Sequence, residues 1–207
     1  MKHLSKHFFV RCIGGKNMNL FTIYIYTSII IWAIIPFRQF KGKYFYYFLM
    51  WASADIFTYI LRNSFHSNSN IIYVICAYFA LLSVYNRNLI KRYWLVYLLL
   101  LISIIFINEI YRYEYMDVLI ITAIHLFILL KFLEHLIINF AHKTNINFFL
   151  VALILYELTI LTKNIEVLTG LTLGYTYFYI TGIFEIFIGL FFILFKEGNP
   201  KLILQLN

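Results

Sequence analysis

The chain has 207 residues, of which 63% are hydrophobic and 13% are charged, and its formal net charge is +8. Soluble domains contain roughly 45–50% apolar and about 25% charged residues, and one core of this size could not hide so much apolar surface from water. The composition therefore excludes an ordinary soluble domain and predicts an integral membrane protein whose solvent is lipid.

The first half of the chain contains four apolar runs separated by short polar segments. A membrane-spanning helix needs about 20 predominantly apolar residues, and each run approaches that length. The four predicted helices are Met18–Phe37, Tyr44–Leu61, Asn70–Tyr85 and Tyr93–Ile110. Pro36 stands at the end of the first run, where we expect it to close the helix.

The second half adds three apolar runs, Met116–Ile138, Asn147–Thr162 and Leu173–Phe195, with a polar connection at Asn139–Ile146. These runs are apolar on every side, whereas barrel strands would alternate over about ten residues. The pattern predicts an all-α transmembrane bundle of seven spans over residues 18–195, between tails at 1–17 and 196–207. The third and sixth runs are short, so six spans is the alternative.

The distribution of basic residues predicts the orientation in the membrane. Lysine and arginine concentrate in cytoplasmic loops, and here they concentrate after spans one, three and five and in the C-terminal tail. These residues are Arg38, Lys41, Lys43, Arg87, Lys91, Arg92, Lys143, Lys196 and Lys201. We therefore expect a multi-pass protein of a cell membrane, as in the bacterial inner membrane, with the N-terminus outside and the C-terminus in the cytoplasm.

The basic tail at 1–17 disagrees with an exported N-terminus. Six spans would resolve the disagreement, and so would a true start at Met18, which we favour. Because the basic residues stand in short segments rather than on one continuous face, they fit membrane lipid headgroups and not nucleic acid. A second membrane protein or a second copy of the chain is a further candidate partner.

Four ionisable residues fall near the middle of the predicted spans: Asp55, His125, Glu157 and Glu185. Such residues cost roughly 2.5–3.5 kcal/mol each at that depth, so they face the bundle interior and often mark function. We take the four as a candidate intramembrane polar site. The alternative is structural, with each group bonded to a neighbour and holding helices together.

Two helix faces give these residues a context. On the second span, positions spaced by three and four form one face that we expect to point inward: Tyr44, Tyr47, Trp51, Asp55, Tyr59 and Arg62. A similar face on the seventh span contains Tyr175, Phe178, Gly182, Glu185 and Gly189. The two glycines predict the close approach of another helix.

A third polar group ends the fifth span. Lys131 and Glu134 are three residues apart and are expected to pair along their own helix, close to His135 and His142. Zinc needs three or four converging ligands, so we predict no metal site. The sequence contains no G-x-S-x-G, H-E-x-x-H or phosphate-loop motif, so we predict no cofactor and no catalytic residue, and we leave an enzymatic role uncertain.

The region from Tyr44-Phe45-Tyr46-Tyr47-Phe48-Leu49 through Tyr85-Asn86-Arg87, with the closing Phe178–Phe195 run, carries a resemblance. In length, helix number, composition and spacing the chain resembles small heptahelical integral membrane proteins of AT-rich bacterial genomes. The resemblance implies the seven-span fold, and it implies no activity and no site residue.

Three functions remain open at this point. The first is a sensory, regulatory or assembly component whose bundle binds a ligand, lipid or partner helix. The second is a small transporter or proton-coupled carrier that uses the mid-depth carboxylates. The third is an intramembrane enzyme acting on lipid, with His125 or His135 as the general base and Asp55 or Glu185 as its partner.

Overall fold

A computed structural model describes residues 18–65, 70–110, 115–170 and 175–205 of the chain. The predicted tail at 1–17 lies outside the described residues. Within them are eight α-helices. The helices are α1 (Met18–Arg38), α2 (Phe45–Phe65), α3 (Asn70–Val84), α4 (Arg87–Arg92), α5 (Trp94–Ile110), α6 (Met116–Lys143), α7 (Phe148–Thr169) and α8 (Tyr175–Leu194). The prediction of an all-α class is confirmed for the body of the protein.

Two helices, Met116–His142 within α6 and the whole of α7, are long and apolar enough to cross a membrane. The other long helices contain shorter apolar segments of 10–17 residues. Along the chain, α2 packs against α1 and α3, and α6 packs against α3 and α7. Helix α8 closes the bundle by packing on α1 and α7.

Helix α2 ends at Phe65 rather than at the predicted Leu61, and three other helices also run further than their predicted ends. Pro36 does not close α1, which continues to Arg38; a proline removes only one helical hydrogen bond, and in a last turn that loss is small. The predicted polar connection at Asn139–Ile146 begins as the last turns of α6, which ends only at Thr144 in the left-handed conformation.

The third difference places a basic residue inside a helix. The sixth span was predicted to end at Thr162, yet α7 continues to Thr169 and stops at Gly170, whose φ of 66° is the left-handed conformation that ends helices. Lys163 therefore lies on α7 and not in a loop. The polar residues of this last turn are compatible with a helix because tertiary packing, rather than intrinsic propensity, stabilises most helices.

A small two-stranded sheet departs from the all-α prediction. Strand β1 (Asn145–Asn147) pairs antiparallel with β2 (Ile203–Gln205). A 3-10 turn at Pro200–Leu202 leads into β2, and Leu202 is buried. The predicted C-terminal tail thus returns to the bundle and pairs with the connection between α6 and α7.

The glycines of α8 allow close contact with α1, as the sequence predicted. A Cβ atom at Gly182 would overlap the ring and hydroxyl of Tyr24, and one at Gly189 would lie 2.5 Å from Cγ2 of Ile31. A larger residue at either position would require the side chain of Tyr24 or Ile31 to move, or the two helices to separate. The side chains of Tyr175 and Phe178, predicted on the same face, are outside the description.

Gln39, only 1% exposed, joins the α1–α2 connection to the end of α8. Its Nε2 donates to the carbonyl oxygens of Phe192 and Phe195 at 2.7 and 2.8 Å, and its Oε1 accepts from the backbone N–H of Glu197 at 3.0 Å. The carboxylate of Glu197 in turn accepts from the backbone N–H of Tyr44 at 3.2 Å. One amide thereby satisfies carbonyls that a helix end leaves without partners.

Replacing Gln39 with leucine should lower the free energy of unfolding by about 2–3 kcal/mol, because two carbonyls and one N–H would be buried without partners. Gln205→Leu makes the same chemical change on the exposed side chain of β2 and serves as the control. Denaturant unfolding in detergent micelles measures both. Equal losses in the two variants would show that the Gln39 contacts do not stabilise the fold.

Candidate functional site

Three helices meet at the carboxylate of Glu157, in the interior of the bundle. Nδ1 of His125 on α6 lies 2.6 Å from Oε2 of Glu157 on α7, and the Tyr47 hydroxyl on α2 donates to Oε1. The side chains of His125 and Glu157 are both 0% exposed. A carboxylate that accepts two short hydrogen bonds in a dry interior is strongly bonded, because charge-assisted bonds are about twice as strong as neutral ones.

Aromatic rings enclose this cluster. Trp51, one turn after Tyr47 on α2, stacks on the imidazole of His125 with ring centroids 4.7 Å apart and planes inclined by 12°. Phe132 meets the Tyr47 ring edge-on at 5.4 Å. The rings exclude water from the carboxylate, which lowers the local dielectric and strengthens its interaction with His125.

The bonding pattern limits where the protons lie. Oε1 of Glu157 accepts from Tyr47, which is a neutral phenol, and one proton lies between Nδ1 of His125 and Oε2 of Glu157. We assign that proton to Nδ1, which makes Glu157 an acceptor at both oxygens. Nε2 of His125 is buried, and it has no hydrogen-bond partner among the described residues. This nitrogen is consequently the atom of the cluster at which a proton can be gained or lost without breaking a bond.

A second polar group lies towards α8. Nζ of Lys163 on α7 is 2.7 Å from Oε2 of Glu185 on α8, and both side chains are mostly buried. The hydroxyl of Tyr24 on α1 also hydrogen-bonds to Glu185. Asp55 on α2 lies close enough to Glu185 for the two carboxylates to repel each other.

The structure places the four predicted site residues in one region of the bundle interior. His125 and Glu157 are directly bonded. Glu185 pairs with Lys163, and it lies within electrostatic reach of both His125 and Asp55. The arrangement is thus two bonded pairs from three helices, α6, α7 and α8, with Asp55 of α2 beside the second pair.

Sequence reasoning missed the partners that complete these pairs. Tyr47 was assigned to the inward face of α2, but its bond to Glu157 depends on how α2 and α7 pack. Lys163 was assigned to a loop. The apolar Leu161 and Ile165 on either side of it, followed by Gly170, could have indicated that the helix continues.

The predicted inward face of α2 is only partly correct. Tyr44, Tyr47 and Trp51 are buried, whereas Tyr59 is exposed and hydrogen-bonds to the hydroxyl of Tyr26 on α1 at 3.0 Å. Helical residues spaced by four drift around the axis, so the face turns outwards in the second half of α2. The side chain of Arg62 lies outside the description.

The polar group predicted at the end of the fifth span does not form one cluster in the structure. Lys131 and Glu134 pair at 2.6 Å, which confirms the predicted contact along α6. His135 faces Lys43 and Tyr44 on the connection to α2, while His142 is exposed. Within the described ranges, no three His, Cys, Asp or Glu side chains are close enough to hold a metal ion.

Comparison with known proteins gave no match: no family model fits the chain, and neither a curated protein nor a solved structure is significantly similar to it.

The buried pair can be tested as a structural element. His125→Phe or Glu157→Leu alone should each lower the free energy of unfolding by about 3–5 kcal/mol, because each leaves a buried polar group uncompensated. The triple variant Tyr47→Phe/His125→Phe/Glu157→Leu should lose less than either single variant, since an apolar core of similar volume can replace a buried ion pair. Unfolding in detergent measures all three.

Lys131→Gln and Glu134→Gln form the matched control cycle, because Glu134 is half exposed and the pair should couple by less than about 1 kcal/mol. If the triple variant retains wild-type stability, the bundle does not require the polar cluster in order to fold. Losses that simply add across the three sites would instead contradict the bonded arrangement.

Proposed function

We propose that this chain is a multi-pass integral membrane protein with seven membrane-crossing helices, and that it works as a sensory or regulatory component of a cell membrane. The distribution of polarity supports the membrane location. The ionisable side chains of His125 and Glu157 are fully buried, while Leu99 and Phe106 on α5 are 62% and 63% exposed. Soluble proteins bury large apolar side chains and expose charged ones. Only lipid would solvate so apolar an exterior.

The seven spans in this proposal are α1, α2, α3, α5, α6, α7 and α8. All seven coincide with the apolar runs of the sequence, and the shorter ones pack beside α6 and α7, the two of full membrane length. Backbone groups in lipid must be satisfied within the segment, which helices achieve. The six-residue α4 is left out of the seven because it is far too short to span.

The orientation proposed is N-terminus outside and C-terminus in the cytoplasm. The predicted cytoplasmic segments lie at one end of the bundle: Gln39 contacts the end of α8, Lys43 contacts His135, and Lys131 lies over the ring of Tyr85 after α3. Basic residues clustered at one end are typical of a cytoplasmic face.

The observation that carries the sensory proposal is Nε2 of His125, buried and unpartnered beside Glu157. With Nε2 unprotonated, the cluster of Tyr47, His125 and Glu157 carries one negative charge in a dry interior. Protonation at Nε2 converts it into a neutral imidazolium–carboxylate pair. Because the field inside a bundle is strong, this change alters the balance of forces between α2, α6 and α7.

One further ionisable group acts on the same histidine. Glu185 on α8 lies within electrostatic reach of His125, in addition to Glu157, which is bonded to it directly.

Fluorescence of Trp51 should report the proton on His125, because a protonated imidazole quenches an indole stacked on it. In Trp32→Phe/Trp94→Phe protein, Trp51 is the remaining tryptophan. We expect its emission in lipid nanodiscs to fall in one step as the pH is lowered and the imidazole takes up a proton. His125→Gln should remove the step.

His142→Gln, a change in an exposed histidine of the same helix, is the control and should leave the step unchanged. If Trp32→Phe lowers stability, the difference between wild-type and Trp51→Phe emission gives the same signal. A pH-independent emission, or an identical step without His125, would rule out the proposed site.

A proton-coupled carrier is the second candidate, and the Lys163–Glu185 pair with neighbouring Asp55 favours it. These groups continue the polar interior from the His125 cluster towards α8 and α1, as a proton path would require. The two candidates differ in net flux. A carrier moves protons across a sealed liposome and Asp55→Asn stops it, whereas a sensor shows the Trp51 response without flux.

A further inference from the structure

Three basic side chains converge at the cytoplasmic end proposed above, apart from the interior cluster. Nζ of Lys43, in the α1–α2 connection, lies 3.4 Å from Nδ1 of His135 on α6. Lys131, one turn earlier on α6, is close enough to repel both groups electrostatically. Two separate elements thus bring two ammonium groups and one imidazole to one place, where an anion would offset the repulsion between the lysines.

Aromatic rings support these cations. Nζ of Lys43 lies 5.2 Å from the centroid of the Tyr44 ring, and Nζ of Lys131 lies 5.2 Å from that of Tyr85. The Tyr44 hydroxyl is 3.3 Å from Nδ1 of His135. Tyr85 is partly exposed, as are tyrosines at the level of lipid headgroups, whereas Tyr44 is buried. The faces of both rings hold lysines in place by cation–π attraction.

The acidic groups nearby offset part of this charge. Glu134 pairs with Lys131 at 2.6 Å and balances that ammonium. Glu197 accepts from the Tyr44 backbone, and burial raises the pKa of its carboxyl. Among the described residues, no carboxylate lies within ion-pair distance of Lys43. Burial lowers the pKa of Lys43; attraction to Glu197 opposes that shift, and the charge of Lys131 adds to it. The positive charge that remains is that of Lys43.

We propose that Lys43, Lys131 and His135 bind the phosphate group of an anionic phospholipid, with Tyr44 and Tyr85 beside the headgroup. Phosphate oxygens accept hydrogen bonds from ammonium and imidazole donors, and the negative charge relieves the repulsion among them. A lipid is favoured over free phosphate because the cluster lies where α2 begins and α3 ends, at the edge of the bundle. The inference rests on the membrane location proposed above.

The test uses the purified full chain in neutral detergent, with thermal unfolding followed as phosphatidylglycerol, phosphatidylcholine or inorganic phosphate is added. Phosphatidylglycerol should stabilise the wild-type protein more than the other two. In Lys43→Gln/Lys131→Gln its binding should weaken about thirtyfold, since each lysine near an anionic lipid contributes roughly fivefold.

Lys41→Gln/Lys201→Gln is the matched control, because it removes the same charge from two exposed lysines of the same end. It should retain the binding of phosphatidylglycerol. If the binding of phosphatidylglycerol weakens equally in both double variants, Lys43 and Lys131 do not form the site. If inorganic phosphate stabilises the protein as much as phosphatidylglycerol does, the ligand is not a lipid. If the protein fractionates with membranes but shows no preference for phosphatidylglycerol, the lipid site is contradicted and the proposed membrane location is not.

Discussion

The double hydrogen bond accepted by Glu157 is the contact on which the interior depends. It joins α2 through Tyr47 and α6 through His125 to α7, at a point that no water reaches. A carboxylate in such a place costs several kcal/mol if any partner is lost. The relative rotation of these three helices is therefore restricted, and the aromatic rings of Trp51 and Phe132 fill the space that the restriction defines.

The contacts around the edge of the bundle follow from the same constraint. Because the interior is occupied by polar groups and large rings, α1 and α8 can approach only where a glycine removes bulk, as at Gly189 beside Ile31. At the proposed cytoplasmic end, Gln39 satisfies the last carbonyls of α8. Apolar side chains such as Leu99 and Phe106 face outwards, because polar groups and large rings fill the interior.

How far the sequence predicted this structure depends on the range of the forces involved. Apolar runs predicted every long helix, because length and hydrophobicity are local properties. The ends of α6 and α7 were wrong, since packing keeps polar residues such as Asn139 and Lys163 helical. Spacing predicted that Lys131 and Glu134 pair, because both lie on one helix.

Contacts between helices could not be predicted from local sequence patterns. Mid-depth position singled out His125 and Glu157, but nothing in the spacing said that they bond to each other or to Tyr47. Gln39 carried no signal at all, because a glutamine in a basic loop is usually exposed. Its burial follows from the return of the chain after α8.

The proposed sensory function depends on one protonation, at Nε2 of His125. If a regulatory protein is to respond within the membrane, some buried group must change charge at modest cost, and Nε2 of His125 is placed to do so. Nitrogen-15 NMR of labelled protein in bilayers, with His125 assigned by comparison with His125→Gln, measures this directly. The account predicts that Nδ1 is protonated throughout while Nε2 changes from unprotonated to protonated as the pH falls. An imidazole protonated on Nε2 and not on Nδ1 at high pH would contradict it.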